Sequence, residues 1–256
     1  MTTPDWSPLD AALARAAGTA RPIPLWWRDD DAVAHTPALD RLLTLANRLD
    51  LPIALAVIPA GIETSLVERL ADELRVGLLV HGLRHANHAP PGARKAEFGD
   101  HRPLAALAAD AAAGLALARG RFGPRMRAVF APPWNRLAPA LAASLPALGY
   151  HGLSTFGDRP APEAAPGLTQ VNAHLDPIAW RAGRGLADPD ALIADLAHRI
   201  AHRPSADPEP IGLLTHHLVH DEAVWTFCES LLTRLAGYAA VRFVPLDAVF
   251  PASRGP

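Results

Sequence analysis

The sequence predicts an α/β fold in which a parallel sheet is covered by helices. Strand-like and helix-like segments alternate along nearly the whole chain, and the strand segments are continuous apolar runs, as in strands buried on both faces. Aspartates and histidines recur where those runs end. An open doubly wound sheet and a closed barrel both fit this alternation. No G-x-G-x-x-G follows the first strand segment and no phosphate-binding loop sequence is present, so a nucleotide-binding fold loses weight.

Taken in order, residues 1–20 read as a short amphipathic helix or arm at the periphery. Ile23 to Arg28 reads as a strand running into Asp29-Asp30-Asp31. Thr36 followed by Pro37 marks a helix start, and the apolar spacing continues through Leu42, Leu45 and Leu49. Pro52 to Ile58 is a buried strand, Gly61 to Leu74 a helix, and Val76 to Val80 a third strand ending at His81. A His-, Pro- and Gly-rich loop extends to about His101, followed by an alanine-rich helix from Leu104 to Arg119. Arg127 to Phe130 is a strand, Leu137 to Leu148 a helix and Tyr150 to Thr155 a strand. Residues 157–167 read as a loop, and Leu168 to His174 as a strand. A helix from Pro189 to His202, a strand from Ile211 to Thr215, a helix from Asp221 to Leu235 and a strand from Val241 to Val244 complete the alternation. No repeat or linker interrupts it, so residues 1–256 are expected to form one domain.

Composition narrows the function classes. The 24 basic and 26 acidic residues give a net charge of −2 with no basic block, which argues against a nucleic-acid surface or a polybasic membrane anchor. Cys228 is the one cysteine, so neither an intrachain disulfide nor an all-cysteine zinc site can form. No apolar run approaches the ~20 residues of a membrane span. The start, MTTPDWSPLD, lacks the basic and apolar regions of a signal peptide, and the expected location is the cytoplasm. The 12 histidines, beside 2 tyrosines and 2 methionines, are the one compositional pointer to chemistry.

In α/β sheets and barrels the carboxyl ends of the strands form one rim, where active sites are built. Three carboxylates in a row repel one another and are accommodated best beside a cation, for which Arg28 is available. His81 and His85 are four residues apart, a spacing that lets two imidazoles share one face of a helical turn and chelate one ion. With an aspartate from another strand end, the set becomes Asp-His-His, a facial donor set suited to Zn²⁺ or a similar divalent ion. His216 and His217 follow an apolar strand, and a histidine there can protonate a leaving group near neutral pH. Pro132 and Pro133 stiffen a loop that could aim the backbone N–H of Trp134 at a developing oxyanion.

The order of these motifs resembles the polysaccharide deacetylase family, the NodB-homology carbohydrate esterases, over about residues 23–220. The family's T-F-D-D-G is similar to W-W-R-D-D-D-A, its H-[ST]-x-x-H to His81-G-L-R-His85, its R-P-P-[YW]-G to Ala131-P-P-W-Asn135, and its L-x-H to Leu214-T-His216. The resemblance implies the distorted (β/α)₇ barrel of that family. It implies Asp31, His81 and His85 as ligands of a divalent ion, Zn²⁺ first and Co²⁺, Ni²⁺ or Mn²⁺ as alternatives. It implies Asp30 as base, the Trp134 N–H as oxyanion donor and His216 as acid. Two registers of the aspartates remain. The form R-x-D-D of divergent relatives pairs Asp30 as base with Asp31 as ligand and is preferred, whereas plain T-F-D-D gives Asp29 and Asp30. The third-motif arginine, which orients the base in the family, is Ala131 here, so either Arg28 or another group substitutes or the activity differs. The fourth motif, D-x-x-x-W, has no secure counterpart, although Asp176 and Trp180 have its spacing. Pro133, Asn135, Glu97 and His174 are assigned to the substrate, with Arg94 and Lys95 as further contacts or solvated residues.

The expected activity is removal of an acetyl group from an N- or O-acetylated carbohydrate or glycan precursor, with no nucleic-acid partner and no membrane insertion. The alternatives are a hydrolase of other C–N amide bonds on the same scaffold, and an inactive sugar-binding barrel.

Overall fold

The computed structural model describes residues 3–18, 22–204 and 209–251. Residues 1, 2, 19 and 20 of the expected N-terminal segment lie outside the described residues.

The main ladder is parallel, in the order β7 (Leu168–Gln170), β5 (Gly152–Leu153), β4 (Met126–Phe130), β3 (Val76–Val80), β2 (Ile53–Val57), β1 (Ile23–Ala32) and β8 (Ile211–Thr215). β9 (Val241–Phe243) pairs with the first residues of β1, and β6 (Glu163–Ala165) forms an antiparallel hairpin with β7. Beyond β7 the chain reaches across to β8. Leu175 bridges Leu213, the N–H groups of His174 and Leu175 donate to the Gly212 carbonyl at 2.7 and 3.0 Å, and Leu214 N–H donates to the Leu175 carbonyl at 2.8 Å. The two ends of the ladder are thereby joined into an irregular seven-stranded barrel, as the sequence motifs implied.

Strand alternation separates two apolar layers. Leu25, Trp27, Leu55, Val57, Leu78 and Val80 belong to the large cluster that also holds the helix leucines. Trp26, Ala54, Ala56, Leu79 and Val129 face the other way and form a smaller cluster inside the curl. Leu246, Val249 and Phe250, on and beside α8 (Leu246–Val249), fill that interior. The interior is narrow: a Cβ on Gly77 would come within 2.6 Å of Leu246, and one on Gly152 within 2.6 Å of Phe250.

The outer helices follow local signals. α2 (Pro37–Arg48) starts where Thr36 Oγ1 accepts from Leu39 N–H at 3.1 Å, and it buries Leu39, Leu42, Leu43 and Leu45. Each such side chain contributes roughly 1.5–3 kcal/mol on burial. α4 (Leu104–Phe122) covers the sheet between β3 and β4. α6 (Pro189–Ala201) is capped by Asp188, and α7 (Glu222–Ala236) by Asp221. The N-terminal helix α1 (Ser7–Ala17) is less peripheral than expected, because Leu9 and Leu13 are fully buried. No helix among the described residues is long and apolar enough to cross a membrane.

Three expectations change. The helix expected over 61–74 is α3 (Thr64–Arg69), preceded by a 3₁₀ turn and followed by turns that leave Leu74 exposed. The helix expected over 137–148 is α5 (Pro139–Ser144), because Pro139 sets its first turn and Pro146 lacks the N–H to continue it. The stretch 157–167, expected as loop, contains β6, which turns back through Gly167 at φ 78°.

Candidate active site

The site begins with β1, which carries all three aspartates within the strand rather than after it. Regular alternation would put Asp29 and Asp31 on one face. Between Asp29 and Ala32, however, β1 has one residue more than β2 has between Leu55 and Val57. This bulge, with Asp31 at φ 76°, turns each carboxylate to a different partner.

Asp29 points outward to the end of β8. Its Oδ2 accepts from Thr215 Oγ1 at 2.6 Å and from His217 N–H at 3.0 Å, and its Oδ1 lies 2.5 Å from His217 Nδ1. Burial opposes charge on Asp29, but the His217 ring and the Thr215 hydroxyl outweigh it and hold the carboxyl below its usual range. Asp30 points inward, where Arg28 Nε lies 2.9 Å from Oδ1 and Arg28 Nη2 donates to Oδ2 at 3.1 Å. Arg28 is fully buried; it also donates to Ser154 Oγ at 2.6 Å and to Asn135 Oδ1 at 2.7 Å. The Asp30 carboxylate is thus met by a guanidinium carried on β1 itself.

Asp31 faces the histidines. Its Oδ1 lies 3.2 Å from His81 Nε2 and 3.4 Å from His85 Nε2. Burial would raise the Asp31 pKa, but the two imidazoles, with His216 behind them, hold it well below the usual carboxylate range. His81 donates Nδ1–H to the Ala131 carbonyl at 2.9 Å, which in the neutral ring leaves the Nε2 lone pair facing Asp31. One ligand atom from each of Asp31, His81 and His85 lies within 4.8 Å of the others. Asp31 Oδ1 is buried without a well-formed hydrogen bond. Lone pairs converging in this way, with one imidazole tautomer fixed from behind, fit a divalent ion.

The turn carrying these histidines is built around a carboxylate. Glu97, 1% exposed, accepts from the N–H groups of Leu83, Arg84 and His85 at 3.2, 2.8 and 3.2 Å. Gly82, at φ 64°, cannot carry a side chain, since its Cβ would lie 2.3 Å from Glu97 Oε2. Glu97 therefore braces the turn that carries His81 and His85 from behind, where the sequence reads an open substrate contact. Pro133 is buried against the same glycine. Trp134 and Asn135 adopt φ of 57° and 55°, and the Trp134 ring packs 4.2 Å from that of His85.

On the other side, His216 Nε2 lies 3.9 Å from Asp30 Oδ2. The Trp180 ring stands edge-on to the His216 ring at 4.7 Å, and its Nε1–H donates to Asp176 Oδ2 at 2.7 Å. The loosely matched Asp176 and Trp180 are thus brought to His216. Burial raises the Asp176 pKa despite the opposing charge of His216. His216 N–H donates to His220 Nε2 at 3.2 Å. His174 does not join the site. Its Nδ1 accepts from Gly212 N–H at 3.0 Å and its Nε2 lies 3.4 Å from Glu209, so it lines a separate lateral cavity.

The sequence reading missed Ser154, Thr215 and the pairing of His217 with Asp29. The only available signal was a hydroxyl residue at each of two strand ends, which is weak.

No protein-family model and no curated protein sequence matches the chain. Solved structures do match in fold. A family 4 carbohydrate esterase from Streptomyces lividans, in complex with acetate, aligns at TM-score 0.55 and 15% identity, covering 86% of this chain and 90% of its own. A family 4 acetyl xylan esterase from Clostridium thermocellum, in complex with a cobalt ion, aligns at 0.53 and 13%, covering 89% and 90%. A peptidoglycan deacetylase from Bacillus subtilis aligns at 0.56 and 11%, covering 90% of each chain. The fold is therefore that of the carbohydrate esterase and polysaccharide deacetylase barrels.

Proposed function

We propose that the protein is a metal-dependent hydrolase that removes an acetyl group from an acetylated carbohydrate. The observation that supports it most is the convergence of Asp31, His81 and His85 beside a buried carboxylate, Asp30, that Arg28 holds in place. The fold shared with esterases and deacetylases of the same kind supports it as well.

Asp31, His81 and His85 would hold the ion, for which one carboxylate and two imidazoles suit Zn²⁺ first. A bound divalent ion supplies Lewis acidity to the acyl carbonyl and a lowered pKa to water. Asp30 takes a proton from the attacking water at a carboxylate oxygen. Arg28, tied to Ser154 and Asn135, keeps that oxygen from rotating away. The backbone N–H of Trp134 donates to the carbonyl oxygen as charge develops on it. His216 delivers a proton to the departing amine or alcohol, so that the acyl bond breaks to acetate and a free sugar amine or hydroxyl. Trp180 and Asp176 fix the orientation of His216.

The test is acetate release from N- and O-acetylated sugars by protein loaded with Zn²⁺, stripped with a chelator, and reloaded. Release should vanish on stripping and return on reloading. Release that survives complete removal of metal, or none from any acetylated sugar by loaded protein, contradicts the proposal.

A further inference from the structure

Around this site the chain gathers cations that have no carboxylate partner among the described residues. Arg136 directly follows Trp134 and Asn135, which contact His85 and Arg28. Its Nη1 donates to the Lys95 carbonyl at 2.5 Å, which brings Arg94 and the chain's only lysine, Lys95, beside it. Arg181 directly follows Trp180, the residue packed on His216. Burial, and then repulsion from Arg94 and Arg181, lowers the Arg136 pKa, and no carboxylate counters it. Three loops, following β3, β4 and β7, thus converge with like charge.

The gathering is local, since the chain's net charge is −2. Elsewhere Arg41, Arg69, Arg102 and Arg234 each hold a carboxylate. The acids of the site itself are engaged: Asp30 with Arg28, Asp31 with His81 and His85, Glu97 with three N–H groups, and Asp176 with Trp180. Uncompensated guanidinia held near one another repel, and an arriving anion relieves that repulsion.

We infer that the substrate is an acetylated sugar bearing a phosphoryl group, which Arg94, Lys95, Arg136 and Arg181 bind while the acetyl group lies against Asp31, His81 and His85. A phosphoryl group carries about −1.5 to −2 charge and three acceptor oxygens, so it can meet more than one guanidinium. A carboxylate, with one charge and two oxygens, would leave most of the rim uncompensated. The inference rests on the deacetylase reading for the position of the acetyl group, but not for the existence of the anion subsite.

The experiment compares N-acetylglucosamine, its 1- and 6-phosphates and N-acetylglucosaminuronate, using the full chain loaded with Zn²⁺. At least one phosphate should show a KM on the order of tenfold or more below that of the neutral sugar, as expected for charge-assisted hydrogen bonds. That advantage should shrink with added NaCl. Arg136→Gln should erase it, and the exposed Arg181→Gln should weaken it with less risk to folding. Equal KM values, preference for the uronate alone, or a phosphate advantage that survives both substitutions because the anion meets only the metal, would overturn the inference. If no sugar releases acetate, the deacetylase reading fails and calorimetric binding of the same phosphates decides the rim separately. Binding weakened about tenfold by Arg136→Gln supports the subsite; unchanged or absent binding overturns it.

Discussion

Three adjacent aspartates are tolerable because each has its own counter-group on a different element: His217 for Asp29, Arg28 for Asp30, and the His81–His85 pair for Asp31. The R-x-D-D spacing made the positions of Asp30 and Asp31 legible in the sequence. It could not reveal Asp29 as a clamp, since that depends on Thr215 and His217 from the far end of the chain. Nor could it show that Glu97 is buried, because the loop around Glu97 has the composition of a solvated one. The clamp gives a prediction. Asp29→Ala leaves His217 buried without its partner, and losing one member of a buried ion pair costs about 3–5 kcal/mol. Chemical denaturation should show a loss of that size, and Asp29→Asn, which keeps an acceptor for Thr215 and for the His217 N–H, should lose less. A loss within ~0.5 kcal/mol, as at an ordinary surface site, would mean that the pair of Asp29 and His217 does not hold the fold.

At the scale of the element, the turn from β8 into α7 sets the place of His216. Its backbone N–H is held by His220, which stands edge-on to Trp225 at 4.7 Å. Burial outweighs the opposing charge of Asp29 and, with the nearby His216 and His217, lowers the His220 pKa to about 4. An unfolded histidine titrates near ~6.5. Between these values the unfolded chain binds a proton that the folded chain does not, so this contribution favours folding most above about pH 6.5 and declines as pH falls to about 4. Stability measured against pH should therefore slope less over that window in His220→Gln than in the unsubstituted protein, and parallel curves would contradict the assignment. The β1 bulge acts at the same scale. It is invisible to apolar patterning, yet it parts Asp31 from Asp29, which regular alternation would place on one face.

The whole molecule explains why strand ends far apart in sequence share one site. The barrel brings β1, β3, β4 and β8 to a common rim, and the alternation of apolar runs with helices was enough to predict that arrangement. Closure was not legible in the apolar alternation, which fits an open sheet equally; only the motif resemblance implied it. It rests on a bridge from Leu175 to Leu213 and on interior glycines that read as ordinary strand residues. His174 was misplaced for the same reason, since it sits on the closing segment and faces sideways. Inside the barrel, Arg28 stands between the apolar plug around Trp26 and the carboxylate of Asp30. Arg28→Met should therefore cost about 3–5 kcal/mol on thermal or chemical unfolding, by stranding a buried charge. Full stability would show that Asp30 finds another partner. The central claim is that one carboxylate of β1 holds the ion while its neighbour moves the proton. It is tested most directly by measuring bound metal and acetate release on one preparation of Asp30→Asn. The account predicts one divalent ion per chain, as in the unsubstituted protein, with turnover lowered on the order of 10²–10⁴-fold. Loss of the ion, or retention of near-normal turnover, would contradict it.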